Sequence, residues 1–212
     1  RMPQTLWVVG MSYVVGILIA IPIGIYSAYK QYSVFDQVGT FVTMIGYSVP
    51  PFFTGVFVIV IFSVQLGWLP SIYDTTHTVV DWETFKIQLK QMVMPVMVLA
   101  LQTTAMINRF MRATMLDNLN QDYVRTARAK GLTERMVVIK HAMQGGLIPV
   151  VSFLGPAIAG LLAGSFVVET IFQIPGLGRF YVEAAFNRDY TMILGTTIFF
   201  SVMIVFFNLM SD

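Results

Sequence analysis

The chain has 212 residues, 56% of them hydrophobic and 11% charged, with a net charge of +2 and a mean hydropathy of +0.72. A soluble domain carries about a quarter charged residues, so this composition points away from a globular core and towards the bilayer. The absence of cysteine excludes a disulfide framework and any thiolate metal site.

A bilayer core takes roughly 20 apolar residues in helical form. Five uncharged stretches meet that need in chain order: Leu6 to Tyr29, Thr40 to Val64, Met92 to Asn108, Pro149 to Val168 and Met192 to Met210. The first has no basic region before it beyond Arg1 and no small-residue cleavage site after it, so it reads as a mature span and not a signal peptide. Arg1 at the start and the apolar run before Asp212 predict that both natural ends lie outside this sequence. The runs are continuous and do not alternate with period two, so the expected fold is an all-α polytopic transmembrane helical bundle and not a barrel.

Along the first span Gly16, Ala20 and Gly24 form a row of small residues, and Gly160 and Gly164 form another. Such rows serve either as packing seams or as the lining of a moving interface. Ser48-Val49-Pro50-Pro51 and Gly155-Pro156 interrupt helical hydrogen bonding and predict local kinks. None of the five stretches carries Asp, Glu, His or Arg, which weighs against a proton relay or a self-contained secondary transporter, although Na⁺ sites built from carbonyls escape this test. The fourteen Met and seventeen Phe suit either a tolerant passage or ordinary packing.

Loop charge sets the orientation, because cytoplasmic loops retain Lys and Arg. Arg109 to His141 holds seven basic residues against three acidic ones, whereas Leu66 to Gln91 holds two against three. The first loop is therefore expected inside and the second outside, with Glu169 to Thr191 outside as well. His77 and His141, the only histidines, then fall on opposite sides, so no two-histidine site forms within the chain. His77, near Asp74 and Asp81, is read as a solvated loop residue or a weak metal ligand. No G-x-x-x-x-G-K-[ST] sequence is present to cradle phosphates, and no catalytic constellation appears.

Within the basic loop, Asn118 to Gly131 predicts a short helix with Asn120 as N-cap, Asp122 at the positive dipole end, Lys130 at the other and Gly131 as a left-handed stop. Thr133 is expected to cap a second helix from Glu134 through Val137, Val138 and His141. A short polar helix slung between two spans suits either a groove on another protein or the surface of anionic lipid. The outer segment Ile171 to Tyr190, with Pro175, Gly176, Gly178, Phe180 and Tyr181, suits an outer gate, a docking surface or a connecting loop.

Tyr123-Val124-Arg125-Thr126-Ala127-Arg128-Ala129-Lys130-Gly131-Leu132, followed by His141-Ala142 and Leu147-Ile148-Pro149, resembles the cytoplasmic signature of peptide, dipeptide and nickel ATP-binding-cassette permeases. Gly155-Pro156, Gly164-Ser165, Glu169-Thr170-Ile171-Phe172, Ile174-Pro175-Gly176-Leu177-Gly178 and Asn187-Arg188-Asp189-Tyr190 are similar to that family in the same order. In the wider class this loop begins Glu-Ala-Ala; here Arg125-Thr126-Ala127 takes those places, with Gly131 at the class spacing.

The resemblance implies a type I importer permease of six spans, five of them here, in one domain over 1–212. It implies a coupling loop over about 109–147 and extracytoplasmic loops over about 66–91 and 169–191. It assigns ATPase coupling to Asp122, Tyr123, Arg125, Thr126, Ala127, Arg128, Lys130 and Gly131, and leaves substrate contacts unassigned. It further implies a non-catalytic chain in the bacterial inner membrane, without a cofactor of its own and without nucleic acid. Its partners would be a second homologous permease, two cytoplasmic ATPase subunits holding ATP and Mg, an extracytoplasmic solute-binding protein and the lipid bilayer. The alternative is a secondary transporter or channel subunit working without an ATPase.

Overall fold

The computed structural model describes residues 2–76 and 79–211, with the side chains of Ala159, Gly160, Ala163 and Gly164 left out. His77 and the packing of the Gly160 and Gly164 row therefore lie outside the described residues. Among those described, every regular element is helical, as the continuous apolar runs require. Helix α1 spans Met2–Tyr29, α2 Val34–Ser48 and α3 Pro51–Val58, the last continuing as a π-helical turn over Ile59–Gln65. Helix α4 spans Trp82–Leu119 and α5 Asp122–Ala129. A turn of helix α6, Glu134–Met136, passes through a π-helical stretch, Val137–Ala142, into α7, Met143–Ile171. Helices α8, Leu177–Phe186, and α9, Tyr190–Ser211, complete the fold.

Four of the five expected spans are single helical runs; the stretch Thr40 to Val64 is not. Its two arms, Val34–Ser48 and Pro51–Gln65, meet at a bend of 103°. Pro50 and Pro51 supply no backbone N–H, and Val49 is extended at ψ 122°, so the helix stops and restarts there. By contrast α7 runs unbroken through Pro149 and Pro156, so the expected interruption at Gly155-Pro156 does not end the helix.

Helix α4 is 38 residues long and organises the rest. It starts ten residues before the apolar stretch because Asp81 accepts the Thr84 N–H at 2.9 Å while the Thr84 hydroxyl faces the Asp81 backbone, a reciprocal cap. At about 1.5 Å per residue it exceeds the roughly 30 Å of hydrocarbon, so Arg109, Arg112 and Asp117 sit on its projecting end and not in a loop. The connection between α4 and α6 shortens accordingly to 120–133.

Helix α1 lies along α4 by close approach of backbone. A Cβ on Gly16 would meet the Thr103 side chain at 2.8 Å, one on Gly24 would meet Met111 Cβ at 2.8 Å, and Ala20 between them is fully buried. This row is therefore a packing seam. At the basic end, Asp36 on α2 is 2% exposed and takes a two-pronged bond from Arg112 of α4, Nε to Oδ1 at 2.6 Å and Nη2 to Oδ2 at 2.8 Å. At the other end, the Tyr73 N–H donates to the Phe172 carbonyl at 2.9 Å and ties the segment before α4 to the end of α7.

Replacing Gly24→Val should lower the midpoint of thermal unfolding in detergent, because overpacking a tight seam costs about 1–3 kcal/mol. Gly10, whose Cβ would meet nothing within 4 Å, should accept the same change with little loss.

Candidate functional site: a short helix seated between two long ones

The loop predicted to carry function folds around helix α5. Its sequence is polar on all sides but one: Val124 is fully buried and Ala127 is 4% exposed, while Asp122, Tyr123, Arg125, Thr126, Arg128, Lys130 and Gly131 face outwards. Val124 and Ala127, three residues apart on one face, enter a cluster with Met111 and Met115 of α4, Val137 and Val138 of the π-helical stretch, and Ala142. Thus α5 is pegged simultaneously to the end of α4 and to the start of α7.

Polar contacts fix its angle. The Tyr123 hydroxyl donates to Asn118 Oδ1 at 2.7 Å, and Asn118 Nδ2 donates to the Thr114 carbonyl one turn back in α4. Both groups press on Gly145 of α7, where an added Cβ would collide with them, and Met115 presses likewise on Gly146. Arg128 Nε binds Glu134 Oε1 at 2.8 Å, joining α5 to α6. Arg125 and Asp122 are 3.6 Å apart and both well exposed, a contact worth little in water.

The ends of α5 differ partly from expectation. Gln121, not Asn120, occupies the N-cap position, and its side chain makes no cap bond. Asn120 is held by the preceding helix, its Nδ2 donating to the Leu116 carbonyl at 3.0 Å, so it closes α4 and does not open α5. Lys130 sits at the C-cap, and Gly131 follows at φ +76°, the left-handed stop. Thr133 precedes α6 in extended conformation without a side-chain cap bond.

All eight residues singled out from the motif lie on or directly after this helix, with Ala127 turned inwards. Missed were the residues that seat it: Val124, Asn118, Gly145 and Gly146. Val124 and Ala127 were legible as an apolar pair three residues apart; the approach of Gly145 to Asn118 depends on pairing α4 with α7, which no local spacing states.

The segment between α7 and α9 is also held by specific contacts. Glu169, fully buried at the end of α7, accepts the Arg179 N–H at 3.1 Å at the start of α8. Gly176 packs directly on the Glu169 carboxylate, and the Leu177 N–H donates to Thr5 of α1 at 2.8 Å. A carboxylate against first-turn N–H groups suits the positive end of a helix.

The bundle of long apolar helices with one short polar helix at its basic end has the fold of chains in solved ABC transporters. It superposes on a chain of an amino acid ABC transporter solved with histidines (TM-score 0.73, 16% identity, 99% of this chain and 88% of that one). It does so equally on a chain of the MetNI methionine ABC transporter in an inward-facing conformation (TM-score 0.73, 16% identity, covering 99% and 90%). The family described as binding-protein-dependent transport system inner membrane component matches residues 20–212, and the chain belongs to it. It is a multi-pass membrane protein.

Among curated relatives, the oligopeptide transport system permease protein AppB of Bacillus subtilis (strain 168) is 40% identical over 213 residues, 100% of this chain and 66% of the relative. The glutathione transport system permease protein GsiC of Pectobacterium atrosepticum is 37% identical, covering 100% and 65%. The dipeptide transport system permease protein DppB of Bacillus subtilis is 35% identical over 201 residues, covering 95% and 61%. The chain thus spans just under two thirds of the length of these relatives.

Replacing Val124→Asp should free α5 from its seat. Hydrogen exchange of the amides of 122–129 should rise by about ten-fold or more, since an unpaired buried carboxylate costs more than the 1.4 kcal/mol that a ten-fold change represents.

Proposed function

We propose that the chain is the membrane-spanning permease subunit of an ATP-driven importer of peptides or related small solutes, forming half of the passage and coupling to cytoplasmic ATPase subunits through α5. The observation that carries this reading is the seating of α5. Val124 and Ala127 anchor it to α4 and α7 together, while Asp122, Tyr123, Arg125, Thr126, Arg128 and Lys130 are left outside for a partner. An eight-residue helix held this way moves as one body with the two long helices that flank it. The oligopeptide, dipeptide and glutathione permeases among its relatives support the substrate class.

The proposed assembly pairs this chain with a second related permease, two ATPase subunits that hold ATP and Mg, and an extracytoplasmic solute-binding protein, in the bacterial plasma membrane. The excess of basic residues near α5 supports an orientation with α5 in the cytoplasm and α8 outside. Closure of the ATPase dimer on ATP pushes α5, the push passes through the Val124 and Tyr123 contacts into α4 and α7, and the passage switches its open side. To move the two states decisively, ATP has to favour one of them by several kcal/mol. Hydrolysis belongs to the partners, and this chain supplies the passage and the lever.

Tagged full-length protein recovered from membranes should bring with it two ATPase chains and a second permease, and the complex should hydrolyse ATP. Changing Arg125, Arg128 and Lys130 together to Glu should abolish that recovery while the bundle remains folded by circular dichroism. A chain recovered alone that moves solute in liposomes would overturn the reading in favour of a secondary transporter.

A further inference from the structure

Three departures from a plain apolar helix meet halfway along the bundle. The break at Val49-Pro50 falls near the middle of the uncharged stretch Thr40 to Val64, Pro156 near the middle of Pro149 to Val168, and Gln102 near the middle of Met92 to Asn108. They come together at a cavity of about 180 Å³, lined by Tyr47 at the end of α2, Gln102, Thr103 and Met106 of α4, and Pro156 and Ala157 of α7. Pro50 and Pro51 take away the N–H groups that would meet the carbonyls of Gly46 and Tyr47 one turn back, and Pro156 removes one donor from its own helix.

Such a place does not suit a wall of acyl chains. Tyr47, Ser48 and Pro50 are exposed, and irregular backbone at membrane depth is tolerated only where it meets protein or water. The cavity beside the break is neutral, with no acidic or basic side chain in its lining. Thr103 closes its hydroxyl on the Leu99 carbonyl at 2.9 Å. Gln102 does not: it is half-buried, and its amide makes no hydrogen bond among the described residues, yet neither its oxygen nor its nitrogen is sealed from the surface. The Tyr47 hydroxyl is likewise without a bond among the described residues. The cavity therefore offers one open amide and one open hydroxyl, and no charge.

We infer that this cavity is a contact site for the main chain of a peptide, with Gln102 Oε1 accepting the N–H of one peptide unit, its Nε2 donating to a carbonyl, and the Tyr47 hydroxyl donating beside it. A primary amide carries both a donor and an acceptor, as a peptide unit does, so the two pair in both directions. With no charge in the lining, the site reads the repeating main chain and ignores the charge of the solute's side chains and termini. The inference rests on the permease reading, which supplies the peptide, and adds to it a place on the passage wall and the residue that touches the solute there.

The test uses the assembled complex, with its permease, ATPase and solute-binding partners, in liposomes supplied with ATP. The probes are tri-alanine and an analogue N-methylated at both peptide bonds, which keeps the carbonyls and loses the N–H groups. The binding protein is common to every measurement, so its own preference cancels when the uptake ratio of the two peptides is compared between complexes. That ratio should be about ten-fold higher in the unaltered complex than in Gln102→Leu, a difference of about 1.4 kcal/mol. Gln102→Asn should keep part of it, and Tyr47→Phe should lower it less than Gln102→Leu does.

In the unaltered complex, a tripeptide whose central residue carries a diazirine should label Tyr47, Gln102 or Met106 during turnover, which decides the matter if the variant fails to assemble. A ratio that survives Gln102→Leu, or labelling confined to other segments or absent, overturns the site. So does a disulfide between Gln102→Cys and a cysteine placed in the second permease, formed with peptide uptake undiminished, which makes this position a contact between subunits. A complex that imports peptide on ATP but fails these tests keeps the permease reading and loses the site; recovery of the chain without ATPase removes both.

Discussion

Helices in lipid gain little by hiding apolar surface from one another, so α1 and α4 stay together through the closeness that Gly16, Ala20 and Gly24 allow. That pairing is the most extensive in the fold, and most of the other helices pack on α4 or α7. Dispersion between closely set backbones is short-ranged, so the seam is sensitive to a single added methyl group. The outward faces are freer: Leu194, Ile198 and Val202 on α9 are each more than 60% exposed, as befits surfaces whose neighbours are acyl chains or another subunit.

Polar groups act at the two ends of the bundle, where water is close enough to share their cost. Arg112 and Asp36 join α4 to α2 at one end, and Glu169 joins α7 to α8 at the other. Between these two clasps the described helices present hydroxyls that mostly return their bonds to the carbonyl one turn back, as Ser12 does to Val8 and Thr103 to Leu99. The bundle therefore has firm ends, and between them the Tyr13 hydroxyl of α1 donates to the Leu154 carbonyl of α7, a lateral tie across its middle.

The sequence made the helical class and the approximate places of the long helices legible, because an uncharged run of about 20 residues has few other destinies. It also marked α5, through Asp122, Lys130 and Gly131 at its ends. What stayed hidden came from pairings between distant segments. Asp36 and Arg112 stand 76 residues apart and meet only when α2 packs on α4, and Glu169 stood in a recognisable motif whose contact with the start of α8 depends on the chain folding back. Asn120 was misread because an Asn between two helices can serve either, and the α4 carbonyl at Leu116 was nearer. The 103° bend at Val49-Pro50 was foreseen as a kink, but two consecutive prolines at a helix start give no hint of its angle.

The six π-helical residues Val137–Ala142 stand between α6 and the long helix α7. A π-turn holds one residue more than the α-helix around it, so it behaves as an insertion that the helix has absorbed. Its presence sets the rotational phase of everything that follows. Without that extra residue α7 would be turned by about 100° relative to α6, and Gly145 and Gly146 would swing away from Asn118 and Met115. The meeting of α4, α5 and α7 is thus a matter of counting as much as of chemistry: the apolar side chains would be the same, and the gear would not mesh.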